Sequence, residues 1–465
     1  MVQQFVNRRR ELEFLEKNYT ERTSSLIVIC GRRRIGKTEL IKNFIKDKLH
    51  IYFLADNRGD YQNLKEMQRF MGNFLQDNLF VKADIREWIE LFDEFSKKVE
   101  EKIVIVVDEF PYLITSNKAI SSLFQKIWDT NLSSKQVCLI LLGSSIGMME
   151  TAVLGYKSPL YGRRTGQWKV LPLKFKYLHE FLPNYSTEDL IKVFSVTDGI
   201  PAYILTMNPN LTFSENLIEN IFKSGSFLYQ EAEILLRQEL RKQANYFNIS
   251  KAISTGRTKF GEIVTFTELD KTLVSKYLST LILLHVVKKE FPVTQKKETR
   301  NARYIFEDNY YNFWFRVVYP NKTLIEGGKI KELTDFVNPD MNIHFSYVFE
   351  KVCREFLFDT SPIVFNKIGR WWHKDKEIDI VALNEKTKEI LFAECKWKDN
   401  VNAEKVLTDL KEKTEDVHWF NKSRKEHFVI FGKSFSRLSE NCLCFDLENL
   451  TRMNSKRAIN DTLSQ

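Results

Sequence analysis

At 465 residues the chain exceeds what one hydrophobic core supports, so two to four domains are expected, and the composition is that of a soluble globular protein. Lys+Arg 70 against Asp+Glu 61 leave a formal net charge of +9, which is compatible with a polyanionic partner but is spread too thinly to argue for one alone. Six cysteines without a C-x-x-C pair, several in apolar runs, read as buried reduced thiols of a cytoplasmic protein; no apolar run reaches the length of a membrane span, and no membrane partner is expected.

Phe5 to Tyr19 has the spacing of an amphipathic helix. Within it, Asn7-Arg8-Arg9-Arg10-Glu11 either caps the helix and touches an adenine or forms a solvated face; sequence physics favours the latter. Leu26 to Thr38, LIVICGRRRIGKT, reads as a buried strand running into a phosphate loop, with Gly31, Gly36, Lys37 and Thr38 filling every fixed position of G-x-x-x-x-G-K-S/T. Across Gly31, Arg32, Arg33, Arg34, Ile35 and Gly36 the backbone N–H groups would turn around the β-phosphate of a bound ATP. Lys37 would reach the β- and γ-phosphates, and the Thr38 hydroxyl would ligate Mg²⁺. A helix from about Thr38 to Lys48 aims its N-terminus at the same anion.

His50 to Ala55 is a second apolar strand, followed by a long helical stretch from about Tyr61 to Val99. Ile103 to Glu109, IVIVVDE, is a β-branched run ending in two acids: Asp108 would hold Mg²⁺ through water, and Glu109 would polarise the attacking water. Val137 to Ser145 delivers hydroxyls in the same way, so Ser144 or Ser145 would sense the γ-phosphate. Arg163 and Arg164 are either finger-like cations for phosphoryl transfer or ordinary surface charges, and Trp168 to Leu173 makes a further short strand. Strands alternating with helices predict a mostly parallel sheet with its site at the strands' carboxyl ends.

From Lys174 to Asn245 the spacing is helical, broken by Asp198-Gly199-Ile200-Pro201, as in a lid over a nucleotide. Residues 246–319 then predict three helices and a basic hairpin, the order of a winged helix. Lys271, Lys276, Lys288, Lys289, Lys296, Lys297 and Arg300 would face DNA phosphates, unless the module serves only protein packing. Residues 320–340, with Gly327-Gly328 inside, are the expected hinge.

Residues 341–465 hold a second constellation. Glu377 to Leu383 and Ile390 to Trp397 are strands joined by a turn centred between Lys386 and Thr387, which places Asp379 opposite Glu394 and Glu377 opposite Lys396. Opposed carboxylates repel unless a divalent cation, Mg²⁺ or Mn²⁺, bridges them; Lys396 would then stabilise the attacked phosphate, and Glu350 on a helix from Phe345 to Leu357 would complete the cluster. A solvent-facing hairpin with a Glu377 to Lys396 ion pair is the plain alternative.

Together GRRRIGKT, VVDEF, LLGSS, SPLYGRRTG, DGIPAY and EIDIV…AECKW resemble the archaeal-type P-loop ATPases that stand near the AAA+ and STAND groups, over nearly the whole chain. The resemblance implies an α/β fold: an ASCE parallel sheet (1–173) with a helical lid (174–245), a winged helix (246–319), the hinge (320–340) and a C-terminal PD-(D/E)XK nuclease-like domain (341–465). It implies that Arg163 acts on phosphate and that Gly199-Ile200-Pro201, Pro201 in particular, lies near the nucleotide. In the nuclease-like part the acids and lysine correspond to Asp379, Glu394 and Lys396 with Glu350 as the helical acid, although Ile378 stands where the family has proline. The expected function is an ATPase acting on DNA; the rival is a STAND-like switch whose C-terminal domain only binds nucleic acid or a protein, with nucleotide-dependent homo-oligomers.

Overall fold

The computed structural model describes residues 5–240, 242–295 and 301–451. Contacts group the chain into two compact units, 1–172 and 173–465.

The first unit is built on a five-stranded sheet in the order β2-β3-β4-β1-β5, every neighbouring pair parallel. Its strands are β1 (Ser25–Cys30), β2 (His50–Leu54), β3 (Ile103–Asp108), β4 (Val137–Gly143) and β5 (Gly166–Lys169). The uninterrupted apolar runs of β1, β3 and β4 are buried along their whole length, which requires cover on both faces and suits parallel pairing through helical crossovers. Helix α1 (Arg9–Thr20) precedes β1, and α2 (Lys37–Ile45) follows it. The long helix expected from Tyr61 to Val99 is three, Asp60–Phe74, Asn78–Lys82 and Trp88–Lys98. The break follows from local chemistry: Gln76 takes a left-handed φ of 53°, and the Asp77 carboxylate caps the next helix by accepting from the backbone N of Leu79 and Phe80. Strand β5 starts earlier than expected and ends before Val170, whose N–H still donates to the Cys30 carbonyl; Pro172 carries no N–H with which to extend a ladder.

In the second unit, the helices Thr187–Thr197, Pro201–Ile204, Phe213–Asn220 and Phe227–Glu239 fill the region expected to be helical. Three more, Gln243–Ser254, Phe260–Thr267 and Lys271–Leu283, lead into the antiparallel pair β6 (Val287–Glu290) and β7 (Arg303–Phe306), and Lys259 adds a single bridge to Arg303. Lys296, Lys297 and Arg300 lie outside the described residues.

The expected hinge is helical. Lys322–Glu326 is one short helix, and a 31-residue helix, Ile330–Thr360, runs through Pro339 and across the expected boundary at residue 341. Leu333, Val337, Met341, Phe345, Val348 and Phe349 recur at helical spacing on its buried face, and burial of that continuous stripe outweighs the cost of one proline.

The long helix leads to a mixed sheet in the order Leu443–Phe445, Lys425–Gly432, β10 (Glu389–Lys396), β9 (Lys376–Asn384), β8 (Lys367–His373). The β9–β10 hairpin pairs Glu389 with Asn384 through to Ala393 with Ile380, the register that alternation and turn position predict. Cys30, Cys138, Cys353 and Cys395 are buried; Cys442 and Cys444 are half-buried, and all six are free thiols. Among the described residues no helix is long and apolar enough to cross a membrane.

Candidate functional site

The loop between β1 and α2 closes tightly for reasons visible at two glycines. A Cβ on Gly31 would stand 2.6 Å from the Val170 carbonyl oxygen, and Gly36, at φ 92°, occupies a conformation that side chains resist just before α2 begins. Lys37 folds back over the loop: its Nζ donates to the carbonyls of Gly31 at 2.9 Å and Arg32 at 3.0 Å, and the residue is 6% exposed. Burial lowers its pKa to about 8 against the opposing pull of Glu109 and Asp108.

An ammonium held below its usual pKa of 10.5 gains from an anion, so nucleotide phosphates will restore its proton affinity. Nucleotide binding at about pH 9 is therefore expected to take up close to one proton, with uptake vanishing near pH 7 where Lys37 is already charged. Calorimetry in buffers of differing ionisation enthalpy measures this directly; equal uptake at both pH values would assign the proton elsewhere.

Asp108, 2% exposed, ends β3 beside the loop. Its Oδ2 accepts from the Thr38 hydroxyl at 3.0 Å and from the Tyr52 hydroxyl, and its Oδ1 accepts from the Glu109 N–H at 2.8 Å. Glu109 turns out of the strand at φ 52°, and both its carboxylate oxygens lie 2.7 Å from the Ser144 Oγ. The structure thus gathers Lys37, Thr38, Asp108, Glu109 and Ser144 at the carboxyl ends of β1, β3 and β4. Thr38 and Asp108 supply the hard oxygen donors that suit Mg²⁺.

The other expected contributors have local partners of their own. The guanidinium of Arg163 pairs with Asp129, Nη2 to Oδ2 at 3.1 Å, while Arg164 stacks on Tyr161 with 5.0 Å to the ring centroid. Pro201 opens its short helix in the second unit. The solvated reading of the Asn7 to Glu11 stretch is corrected at Arg8, which is 5% exposed. Its guanidinium donates to the carbonyls of Leu171 at 2.8 Å and Ile35 at 2.9 Å, and pairs with Glu11 at 3.1 Å, tying the first turn of α1 to the phosphate loop. A run of three arginines hides which one is buried. Tyr52 was missed as well; the signal was a polar-headed aromatic alternating with Ile51 and Phe53 on an otherwise apolar strand.

The C-terminal residues do come together, but as a charge-compensated cluster. Glu394 is 2% exposed and pairs with two lysines, Lys396 at 2.5 Å and Lys413 at 2.6 Å, the latter from helix Ala403–Thr414. Asp379 accepts from the Cys395 N–H at 2.8 Å. Burial, with Glu350 and Glu394 nearby, pushes the Asp379 carboxyl well above its usual range, which favours the protonated form. Glu350, also raised by burial, is bonded by Arg370. Glu377 does not meet Lys396; it pairs with Arg303 at 2.6 Å and Arg370 at 3.2 Å. Of the three acids expected to share a cation, Glu394 takes lysine partners, Glu350 takes an arginine and Asp379 accepts from a backbone N–H; among the described residues no group of three or more His, Cys, Asp or Glu side chains is disposed to hold a metal ion. The hairpin register could be read locally, whereas Lys413 and Arg370 come from elements that only the fold brings in.

A phosphate loop after β1, paired acids after a β3 separated from β1 by β4, and a hydroxyl after β4 define a P-loop ATPase of the ASCE type. The comparisons agree. A model described as an ATPase domain predominantly from Archaea matches residues 5–207, and one of Archaea bacterial proteins of unknown function matches residues 314–407. The Methanocaldococcus jannaschii protein MJECL04 is 38% identical over 455 residues, 96% of this chain and 100% of that protein. From the same organism, the ATP-binding protein MJ0423 is 57% identical over 44 residues, 10% of this chain and 75% of that one. Among solved structures, the Walker-type ATPase PABY2304 of Pyrococcus abyssi aligns with a TM-score of 0.52 at 19% identity, over 67% of this chain and 96% of that one, a likeness of fold. The chain belongs to the archaeal-type ATPase family.

Proposed function

We propose that the protein couples ATP hydrolysis to action on DNA, through a winged helix in residues 243–306 and a nuclease-like C-terminal domain. The observation that carries the DNA reading is the face of helix Lys271–Leu283: Lys271, Thr272, Ser275, Lys276 and Ser279 are exposed, and no carboxylate lies anywhere in the helix. Such a face offers ammonium and hydroxyl donors to backbone phosphates without like-charge repulsion. The ribbon contributes less than expected, since Lys288 pairs with Glu290 at 3.3 Å and Lys289 lies over the Phe291 ring.

At the ATPase centre, Lys37 exchanges its two carbonyl partners for phosphate oxygens. Thr38 would hold Mg²⁺ directly and Asp108 through water; the cation, when bound, neutralises charge on the phosphoryl oxygens. Glu109, held by the Ser144 hydroxyl, would orient the attacking water through its remaining acceptor directions. In the C-terminal domain, a second divalent cation at Asp379 and Glu394 would have to displace Lys396 and Lys413 from Glu394.

Duplex DNA is expected to stimulate ATP turnover. Lys271→Glu with Lys276→Glu should abolish that stimulation, weaken DNA binding at least about tenfold and flatten its salt dependence by about two units of slope. ATP turnover indifferent to DNA, together with nucleotide-controlled self-association, would instead favour a STAND-like switch. A phosphodiester cleavage assay with Mg²⁺ or Mn²⁺, with and without ATP, decides whether the C-terminal domain cuts.

A further inference from the structure

We infer that Tyr52 is a positioning residue of the ATPase centre, setting the Asp108 carboxylate in the orientation that receives the divalent cation; this rests on the Mg²⁺ reading above. Strand β2 is an edge of the sheet and runs parallel to β3, with Tyr52 beside Val106 and Leu54 beside Asp108. Alternation along β2 sends Ile51 and Phe53 into the large apolar core and Tyr52 to the opposite face. Residues paired across parallel strands share a face, as do Val106 and Asp108, two apart on β3. Tyr52 and Asp108 therefore point to the same side of the sheet, offset by about 6.6 Å along the strands, a distance that the tyrosine ring and hydroxyl span.

The bonding around Asp108 gives that contact its consequence. A carboxylate has about four acceptor directions. Oδ2 has two hydroxyl donors, Thr38 and Tyr52, and Oδ1 has one backbone donor, Glu109 N–H. Three protein donors from three different segments hold the carboxylate plane, leaving one acceptor direction on Oδ1 for a water on the cation. Thr38 can donate its proton to Asp108 while its oxygen lone pair faces the metal, so the two hydroxyls do not compete. Without the Tyr52 hydroxyl, the carboxylate keeps only the Thr38 and Glu109 donors, so its plane is held less firmly and Thr38 has a less fixed acceptor to orient it.

The test is Mg²⁺ binding by the full-length chain saturated with ADP, followed by calorimetry and paired with nucleotide binding in EDTA. Tyr52→Phe keeps the ring and removes only the hydroxyl. The expected result is a five- to tenfold weaker Mg²⁺ affinity and the same rise in the Mg²⁺ concentration for half-maximal turnover. ADP affinity in EDTA and melting temperature should stay at wild-type values, and turnover should recover in excess Mg²⁺. Unchanged Mg²⁺ affinity would overturn the inference, as would a parallel loss of nucleotide affinity in EDTA, which marks a general packing defect. Wild-type turnover that persists in EDTA would instead overturn the Mg²⁺ reading itself.

Discussion

Lys37→Ala is expected to weaken nucleotide affinity by about 100-fold or more, whereas Glu109→Gln should bind nucleotide within about twofold of wild type and lose turnover by 10²- to 10⁴-fold. The difference follows from what each side chain can touch. Lys37 is the buried cation over the loop, and removing it deletes the charge-assisted contacts it would make to the nucleotide's phosphates, worth about 1.5–3 kcal/mol each. Glu109 touches no loop atom; its carboxylate rests on Ser144, poised where a water would be oriented, and positioned general-base groups contribute 10²- to 10⁴-fold. Glutamine keeps the size and one acceptor oxygen, so the fold and the Ser144 contact survive while basicity is lost. Fluorescent-nucleotide titration and steady-state phosphate release separate the two effects. Equal loss of affinity in both variants would refute this division of labour.

Glu394→Ala is expected to destabilise the second unit by about 3–5 kcal/mol, the range for breaking a buried ion pair at one partner. It strands the Lys396 and Lys413 ammoniums together without their shared carboxylate. Those lysines retain partial solvent access, at 33% and 29% of their side chains, which places the expectation toward the lower end. Asp379→Asn, opposite Glu394 across the hairpin, should by contrast cost less than Glu394→Ala, because burial, Glu350 and Glu394 all raise the Asp379 carboxyl and so oppose the charge that asparagine removes. Denaturant unfolding of the full chain at neutral pH, followed through the second unit's tryptophans, measures both. A larger cost for Asp379→Asn than for Glu394→Ala would mean that Asp379 is the ionised member of the pair.

Much of the ATPase centre was legible in the residues themselves. The phosphate loop is local chemistry: glycine spacing, a lysine and a hydroxyl within eight positions dictate a backbone conformation, and the structure shows them in it. Paired acids at the end of a β-branched run placed Asp108 and Glu109 at the strand's carboxyl end for the same reason, since strand direction and burial are encoded in the run. The β9–β10 register was equally local, because alternation and a short polar turn leave one pairing that buries the apolar face.

Tertiary structure decided everything that depends on which distant segment arrives. Tyr52 reaches Asp108 only because β2 lies beside β3, and Arg8 reaches Ile35 only because α1 packs its first turn against the loop. The C-terminal acids illustrate the limit most clearly. Their approach could be read from the hairpin, but whether a cation or a side chain answers their charge depended on Lys413 and Arg370, one from a following helix and one from a neighbouring strand. Residues 320–340 are helical on the same ground: glycines and a proline describe local freedom, while the long helix is held by an apolar stripe whose partners lie elsewhere in the second unit. Local sequence therefore determined the conformations and the candidate chemistry, and the fold determined the partners, because electrostatic compensation and burial are properties of neighbours that a linear pattern does not name.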